Sequence, residues 1–286
     1  MAATDRVNIL ASDHRWQWEE WCDTHVIDRR RISEVKAIVV DAFLAARTRS
    51  DTVARAGSLL LDQQYAAAQI ARAKAAGVRV GAPVEKAGVS PLEWAAAEVF
   101  AAAPPGAFVK VLIKDRPDAD ARQRADQFDK LIALQRWCRS HGAPLLVEII
   151  VPRQREAEAT FEEVERPAML AATIRDAYTR GLEPEYWKIE GTTSAGAAAI
   201  VDRAIGERSG PRQIILGKGA GMDLIARWFA TAAPCRSASG FAIGRSVFWE
   251  PGTAFLEGRI DAAGATEAIA SAYLKLVDMW QAAALT

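Results

Sequence analysis

The sequence predicts a single (β/α)8 TIM barrel of the α/β class, and three observations lead to this fold. Short apolar, β-branched runs alternate with longer alanine-rich amphipathic stretches along all 286 residues, which is typical of βα units around a parallel sheet. Eight such strand-then-helix units follow one another, which is the number that this barrel requires. No linker, low-complexity tract or other repeat divides the chain, and single α/β barrels commonly have this length. We therefore expect one domain over residues 1–286.

The predicted strands are short apolar runs, most of which end in or just before a charged residue or a glycine. They cover residues 7–12, 57–62, 78–84, 108–114, 144–151, 186–190, 212–216 and 239–244. In barrels of this type the active site lies at the carboxyl ends of the strands. The residues that close each run are therefore the first candidates for a functional site.

Amphipathic stretches between these runs predict the helices. They cover residues 32–47, 64–76, 91–103, 121–141, 167–180, 191–207, 222–233 and 266–284. Gly77 is the residue type that commonly follows a helix, Pro91 suits a helix start and Thr266 is the predicted N-cap of the last helix. The Pro-Pro-Gly run at 104–106 breaks the chain, and the highly charged segment 152–166 is expected to form a surface loop or a short helix.

Composition argues against a nucleic acid or membrane partner. The 36 basic and 36 acidic residues give a formal net charge of +0, so no strong field would attract nucleic acid or an anionic membrane. No apolar run approaches the roughly 20 residues of a membrane span, and no secretory leader is seen at the start. Cys22, Cys138 and Cys235 contain no CxxC pair and are expected to pack in the core of a cytoplasmic protein.

The sequence shows no recognisable metal-binding motif. The histidines are His14, His25 and His141, and they show neither an HExxH motif nor a pair at i, i+4. We therefore expect no metal and no other cofactor.

The stretch from Tyr186 to Gly191 places charge where a buried strand is predicted. Alternation puts Lys188 and Glu190 on one face and Trp187 with Ile189 on the other. Lysine and glutamate are rarely buried unless they are paired. A desolvated amine near another cation has a lowered pKa and attacks ketones, so Lys188 is a candidate Schiff-base lysine. A Lys–Glu pair at a wet strand end explains the stretch equally well on its own.

Charged side chains follow several other predicted strands as well. The whole set is Asp13, Asp62, Glu85, Lys110, Lys114, Glu148, Lys188, Glu190 and Arg245. By alternation, Lys110 and Glu148 are expected to face the same cavity as Lys188. Such a group meets the needs of imine chemistry, because one amine attacks, a second cation stabilises negative charge and a carboxyl group moves protons. The alternative is that the charges only neutralise one another, but four or more at different strand ends favour catalysis.

A glycine run and an arginine predict a phosphate site after the last two strands. The loop Gly217-Lys218-Gly219-Ala220-Gly221 lets backbone N–H groups approach an anion, and the next helix adds its dipole. Gly244 and Arg245 follow the eighth strand, and a guanidinium can hold two phosphate oxygens. The run matches neither GxGxxG nor a Walker loop, which argues against a dinucleotide or P-loop fold.

An aromatic cluster lies beside His14 in the sequence. Trp16, Trp18 and Trp21 are expected to pack in the core or as a lid over the barrel mouth. His14 could donate to a substrate oxygen, although a bond from its ring to the backbone is the simpler expectation.

Several short motifs together resemble the class I, imine-forming aldolases related to tagatose-bisphosphate and sulfofructose-phosphate aldolases. Among these, the chain is most similar to the 5-dehydro-2-deoxyphosphogluconate aldolase domain of inositol catabolism. The motifs are Ala-Ser-Asp-His-Arg at 11–15, Leu-Leu-Leu-Asp at 59–62, Ala-Pro-Val-Glu-Lys at 82–86, Val-Lys-Val-Leu at 109–112, Tyr-Trp-Lys-Ile-Glu at 186–190 and Gly-Phe-Ala-Ile-Gly-Arg at 240–245. The likeness spans nearly the whole chain in order.

The resemblance implies a role for each matching residue. Lys188 would be the Schiff-base lysine, and Asp13, Lys110 and Glu148 would handle protons around it. Arg245 would bind phosphate. Asp62, Glu190 and His14, together with Gly217, Lys218, Gly219 and Gly244, complete the set expected to contact the substrate. The segment at 114–116 departs from the aromatic stretch of the relatives, which bears on the substrate more than on the reaction class.

The function implied is a metal-independent aldehyde-lyase that acts on a small phosphorylated sugar. The expected substrate is 6-phospho-5-dehydro-2-deoxygluconate, cleaved to dihydroxyacetone phosphate and malonate semialdehyde. Alternatives are another ketose phosphate, such as tagatose or fructose bisphosphate or sulfofructose phosphate, or a non-catalytic sugar-phosphate-binding barrel. A homo-oligomer is compatible with the sequence.

Overall fold

The computed structural model describes residues 6–285, and its eight parallel strands close into a barrel in the order β1 to β8. This confirms the predicted fold class. The strands are β1 (Val7–Ser12), β2 (Gly57–Leu61), β3 (Val80–Pro83), β4 (Val109–Lys114), β5 (Leu145–Ile150), β6 (Tyr186–Glu190), β7 (Arg212–Leu216) and β8 (Ala238–Ile243). β1 pairs with both β2 and β8, so the sheet has no free edge.

Helices form the layer outside the barrel. They are α1 (Trp16–Thr24), α2 (Ile32–Arg49), α3 (Asp51–Ala56), α4 (Gln63–Ala75), α5 (Ala121–Ser140), α6 (Glu158–Thr160), α7 (Arg166–Thr179), α8 (Ala195–Ile205), α9 (Met222–Ala232), α10 (Arg245–Leu256) and α11 (Ala262–Ala283). A 3-10 turn at Arg29–Arg31 precedes α2, and a π-helical turn at Phe161–Glu165 joins α6 to α7. The charged segment 152–166 is thus helical over its second half.

The helix predicted for residues 91–103 is absent, so that prediction was wrong. The connection from β3 to β4 folds back on the end of β3 instead, where Glu85 and Trp94 form an antiparallel bridge. The amide of Lys86 donates to the carbonyl of Glu93, and the amide of Ala95 donates to the carbonyl of Val84. Because these backbone groups find partners in the residues that follow β3, the alanine-rich composition does not produce a helix.

The start of the last helix also differs from the prediction. Asp261 caps α11 by accepting a 2.7 Å hydrogen bond from the amide of Gly264, so Thr266 lies inside the helix and is not its N-cap. Asp261 lies far enough upstream to add a full turn to the helix. The helix α10, which begins directly at Arg245, was not predicted from the sequence.

The interior of the barrel changes from apolar to charged along its axis. Its lower layer consists of the buried side chains Val7, Ile9, Ala11, Leu60, Phe108, Leu146, Ile214 and Ala242. Two residues after Phe108 comes Lys110, and two after Leu146 comes Glu148, so the same inward face carries charge toward the carboxyl ends. Outward residues such as Trp187 pack against the helices, where its Nε1 donates to the Tyr178 hydroxyl at 3.1 Å. The apolar layer therefore forms a rigid floor beneath a charged mouth.

Candidate active site

A cavity of about 290 Å³ opens at the carboxyl ends of the strands. Residues from β1, β3, β4, β5, β6, β7 and β8 or the loops after them line it. All four predicted catalytic residues, Asp13, Lys110, Glu148 and Lys188, are in its wall. This is the position at which barrels of this type place their active sites.

Lys110 binds three carboxylates, and we call these four residues the Lys110 cluster. Its Nζ lies 2.9 Å from Oδ2 of Asp13, 2.8 Å from Oε1 of Glu85 and 3.1 Å from Oε2 of Glu148. The lysine side chain is only 4% exposed, so these charges interact in a medium of low polarity. Each partner comes from the end of a different strand, which joins β1, β3, β4 and β5 through one amine.

Lys188 extends this network from β6. The register pairs Glu148 directly with Lys188, and the Lys188 amine donates to Oε2 of Glu148 at 3.0 Å. The same oxygen lies 3.1 Å from Nζ of Lys110, so one carboxylate oxygen pairs with both amines. The Lys188 side chain is 5% exposed and points into the cavity.

Burial and charge act in opposite directions on the groups of the Lys110 cluster. Burial raises the pKa of Asp13 and of Glu148, but Lys110 and Lys188 outweigh it, so both pKa values fall below their usual range. Burial lowers the pKa of Lys110, yet Asp13, Glu148 and Glu85 together raise it well above its usual value. Lys110 is therefore a permanent cation between ionised carboxylates.

Glu85 behaves differently, because burial raises its pKa despite the attraction of Lys110. Arg15 stands on its other side, where its Nη2 donates to the Glu85 carbonyl at 3.2 Å and lies 3.6 Å from Oε1. Sequence reasoning noted Glu85 at a strand end but gave it no role, and it passed over Arg15. The sequence could have indicated both residues as parts of the site, since each follows a predicted strand within three positions.

The predicted phosphate residues gather on the side of the cavity formed by β7 and β8. Gly217, Lys218, Gly219, Gly244 and Arg245 all line it. The turn is tight, with φ of +52° at Lys218 and +80° at Gly219, and Arg245 Cζ lies 4.0 Å from where a Cβ on Gly219 would stand. A Cβ on Gly244 would come within 1.8 Å of the Ala11 carbonyl oxygen, so only glycine allows β8 to pass β1 this closely.

Arg245 is the cation best placed for an anionic ligand on this side. It is the first residue of α10, and its Nε is buried with no hydrogen-bond partner among residues 6–285. Burial lowers the pKa of its guanidinium, an effect that Glu148 and Asp13 partly oppose. A donor that is buried and unpaired costs free energy, and a phosphate oxygen would relieve that cost.

Glu190 links the phosphate side to the end of β6. Its Oε2 accepts from Lys218 at 3.0 Å and lies 3.6 Å from Nε of Arg166, which is itself buried at the start of α7. The Arg166 guanidinium also donates to the carbonyls of Glu190 at 3.4 Å and Gly191 at 2.9 Å. Arg166 therefore fixes the strand end that carries Lys188, a role that no local sequence pattern indicates.

Asp62 is not brought into the cavity, so its predicted contact with substrate was wrong. Its carboxylate lies 2.8 Å from Nζ of Lys36, and both side chains are fully buried. Oδ1 also caps α4 by accepting from the amide of Tyr65. Lys36 in turn donates to the carbonyls of Ser12 and His14, so this pair braces the end of β1.

His14 lines the cavity but does not make the backbone bond that was the simpler expectation. Its Nδ1 is buried without a hydrogen-bond partner in the described part of the chain and lies 3.9 Å from Oδ1 of Asp13. The ring packs edge-on against Phe248 with centroids 5.5 Å apart. Burial lowers the pKa of His14 to about 3, although Asp13 opposes this, so the ring is neutral.

The aromatic cluster divides into a core part and a part at the cavity mouth. Trp18 is fully buried and stacks on Trp249 with centroids 4.2 Å apart. Trp16 is 44% exposed, lines the cavity and would meet a Cβ added to Gly88 at 3.1 Å. Of the two predicted positions, Trp18 therefore occupies the core and Trp16 lies at the mouth of the barrel.

Three further findings bear on the predictions. Cys22 and Cys138 are buried, whereas Cys235 is partly buried. Among residues 6–285, no group of three or more His, Cys, Asp and Glu side chains is arranged to hold a metal ion. Within the same residues, no helix combines the length and the apolar character that crossing a bilayer requires.

The chain matches the model of the family described as "Uncharacterized protein conserved in bacteria (DUF2090)" over residues 1–284 and therefore belongs to that family. No curated protein sequence matches it.

Solved structures similar to this chain include fructose-bisphosphate aldolases. That of Plasmodium falciparum, solved with TRAP and a small-molecule inhibitor, is 10% identical, with a TM-score of 0.68 over 97% of this chain and 92% of that one. A Schiff-base-forming fructose-1,6-bisphosphate aldolase is 17% identical, with a TM-score of 0.56 over 95% of each chain. An archaeal fructose 1,6-bisphosphate aldolase is 16% identical, with a TM-score of 0.58 over 96% of each. At these identities the likeness establishes a shared fold.

Proposed function

We propose that this member of the family is a class I aldolase, an aldehyde-lyase in which Lys188 forms an imine with the ketone of a phosphorylated sugar. The observation that supports this most directly is the buried amine of Lys188 at 3.0 Å from a carboxylate oxygen that Lys110 also binds. A nucleophilic amine needs a neighbouring group that moves protons and an environment with little water, and this position has both. The Schiff-base chemistry named for one of the similar structures agrees with the proposal.

The proposed reaction uses Glu148 for the first proton transfers. Glu148 takes a proton from the Lys188 nitrogen, and the amine attacks the ketone carbon. The resulting carbinolamine loses water when Glu148 returns this proton to its hydroxyl group, which leaves a protonated imine. Lys110 remains charged throughout, since three carboxylates surround it, and it keeps Glu148 ionised once the proton has left. The imine then accepts the electrons of the breaking carbon–carbon bond as an enamine, which is protonated and hydrolysed.

The proposed substrate is 6-phospho-5-dehydro-2-deoxygluconate, which would give dihydroxyacetone phosphate and malonate semialdehyde. Arg245 and the loop from Gly217 to Gly219 would hold the phosphate, because they place an unpaired guanidinium donor beside a turn rich in glycine. The sequence resemblance supports this substrate over a ketose bisphosphate. We place the reaction in the cytoplasm.

Borohydride trapping tests the proposal. Incubating the protein with dihydroxyacetone phosphate and borohydride should add one triose phosphate to the peptide that contains Lys188. Lys188→Met should lose both trapping and turnover, whereas Lys86→Met, which changes an exposed lysine at the cavity rim, should keep both.

Substrate panels and a chelator separate the remaining alternatives. Release of triose phosphate only from a bisphosphate or a sulfo-sugar phosphate would assign another substrate to the same site. Binding of sugar phosphates without any product would indicate a non-catalytic barrel. Turnover that survives Lys188→Met, or that a chelator abolishes, would contradict the imine mechanism.

A further inference from the structure

Glu85 lies in the cavity wall and, within the Lys110 cluster, is the carboxylate with a buried oxygen that lacks a hydrogen-bond partner among the described residues. Its Oε1 accepts from Lys110 at 2.8 Å, whereas its Oε2 is buried and has no hydrogen-bond partner within residues 6–285. The side chain lines the cavity, and only 5% of the residue is exposed. A buried acceptor without a partner costs free energy, and a substrate hydroxyl would supply the missing bond.

Two hydrogen bonds and one ion pair connect Glu85 to Lys188 through Lys110 and Glu148. Oε1 of Glu85 contacts Lys110 Nζ at 2.8 Å, Lys110 contacts Oε2 of Glu148 at 3.1 Å, and that oxygen contacts Lys188 Nζ at 3.0 Å. This series of contacts ends at Glu85, whose other oxygen, Oε2, is the unpaired one. A continuous set of charged contacts therefore extends from Lys188 to Glu85.

The barrel also places Glu85 on the side opposite the phosphate residues. In the closed order of eight strands, β3 stands four positions from β7, so Glu85 faces the loop of Lys218 across the cavity. A substrate that binds phosphate at Arg245 and joins Lys188 through its ketone must direct its remaining carbons away from β7 and β8. Those carbons carry the hydroxyl that loses its proton in an aldol cleavage.

We propose that Glu85 is a further catalytic residue that takes this hydroxyl proton through its free Oε2. The inference rests on the proposed aldolase function. As the proton moves to Glu85, the O–H electrons form the aldehyde C=O, and the carbon–carbon bond breaks. Its electrons form the enamine double bond, while the iminium nitrogen on Lys188 regains its pair. After the aldehyde leaves, Glu85 returns the proton to the enamine carbon, and water hydrolyses the imine.

The surroundings of Glu85 suit this exchange of a proton. Burial raises its pKa, whereas Lys110 and Lys188 lower the pKa of Glu148, so Glu85 is the stronger base of the two. Arg15 lies 3.6 Å from Oε1 and limits this rise in the pKa of Glu85. The carboxylate therefore stays available to accept a proton.

Glu85→Gln tests the inference, because glutamine keeps the size and still accepts from Lys110. Borohydride should continue to trap dihydroxyacetone phosphate on Lys188, while kcat for cleavage falls about 100-fold or more. Uptake of deuterium from D₂O into dihydroxyacetone phosphate should fall in parallel, since it requires the same proton transfer at carbon. Glu148→Gln should lose trapping as well, and Glu93→Gln, which changes an exposed carboxylate on the facing segment, should leave all three readouts unchanged.

Several results would overturn the inference. Cleavage by Glu85→Gln at the parent rate would exclude the role while leaving the aldolase function intact. Loss of trapping along with turnover in a folded Glu85→Gln would assign Glu85 a structural role instead. If this variant does not fold, Glu85→Asp shortens the carboxylate, and an unchanged kcat with an unchanged acidic limb of the pH profile would refute the role. A parent protein that neither traps nor cleaves would refute both proposals.

Discussion

Replacing Lys110 by methionine removes the cation that holds three buried carboxylates together, and its effect on stability should depend on pH. Methionine keeps the unbranched stem of the side chain but leaves Asp13, Glu85 and Glu148 without the amine that lies within 3.1 Å of each. Breaking a buried ion pair by removing one partner typically costs about 3–5 kcal/mol. We expect the free energy of unfolding at pH 7 to fall by about 4 kcal/mol, because the 4% exposed lysine admits little water that could replace it.

The pH dependence follows from the sign of the pKa shifts. In the parent, the pKa values of Asp13 and Glu148 lie below their unfolded values, so this stabilisation is present above about pH 4 and is lost as the pH falls through the folded values. Without Lys110, burial and mutual repulsion raise these pKa values above the unfolded ones. Folding then takes up protons near neutral pH, and the cost of the substitution falls by about 1.4 kcal/mol per pH unit for each carboxyl group that binds one.

Urea unfolding at pH 7 and pH 5, followed by tryptophan fluorescence, measures this effect. The difference between parent and Lys110→Met should shrink from about 4 to about 1–2 kcal/mol between these pH values. Lys86→Met is the control, because its pair with Glu93 is more than half exposed on both sides and should contribute at most about 1 kcal/mol at either pH. A difference for Lys110→Met that stays the same at pH 7 and pH 5 would refute the reasoning.

Two further predictions concern His14 and Arg245. The folded pKa of His14, about 3, lies below its unfolded value of 6.5, so the stability that the neutral ring supports is lost as the pH falls from 6.5 toward 3. Between pH 7.5 and pH 5 this group should lower the free energy of unfolding of the parent by about 2 kcal/mol. Urea unfolding should detect no such loss in His14→Asn. Equal losses in both proteins would contradict the low pKa of His14. Arg245→Met should raise KM for the phosphorylated substrate about 10- to 100-fold and weaken inhibition by inorganic phosphate, since it removes charge-assisted hydrogen bonds. Steady-state kinetics should show no such change in Arg259→Met, whose guanidinium is 54% exposed, and an unchanged KM in Arg245→Met would place the phosphate elsewhere.

The central residues of the site could be predicted because two regularities of the barrel suffice to place them. Strand alternation puts Lys110, Glu148 and Lys188 on the inward face, and parallel closure brings the carboxyl ends of their strands to one mouth. The structure then adds what alternation cannot supply, namely that Lys110 and not Lys188 is the centre of the carboxylate cluster. That depends on distances across the barrel, which no spacing along the chain encodes.

The prediction that Asp62 contacts the substrate was wrong because its partner, too, comes from a distant part of the chain. Asp13 and Asp62 both follow a hydrophobic strand, so the local pattern treats them alike. Lys36, which comes from α2, binds Asp62 outside the cavity and also holds the carbonyl of His14. A lysine on a helix can bury its charge only against a partner that the fold brings to it, and that partner is not apparent from a single sequence.

The missing helix at residues 91–103 shows the same limit for secondary structure. Its alanine-rich composition favours a helix, but propensity is a weak prior that tertiary contacts override. Here the backbone of the segment pairs with the end of β3 through the bridge between Glu85 and Trp94. A regular helix leading away from β3 would lack this bridge, which holds the backbone that carries Glu85. The irregular connection and the position of this carboxylate in the cavity wall therefore have a common cause.

Under the proposed mechanism, the distribution of charge in the cavity gives the second lysine, Lys110, a role of its own. In the proposed cycle Lys188 forms an imine and passes electrons to and from the substrate, so the charge on its nitrogen changes. Glu148 would become an uncompensated buried anion at the neutral stages if Lys188 were its only partner, since an unpaired buried charge is strongly unfavourable. Lys110, 3.1 Å from the same oxygen, supplies a positive charge that does not change. Lys188 is thereby free to react, and removing Lys110 should impair catalysis even where the protein still folds.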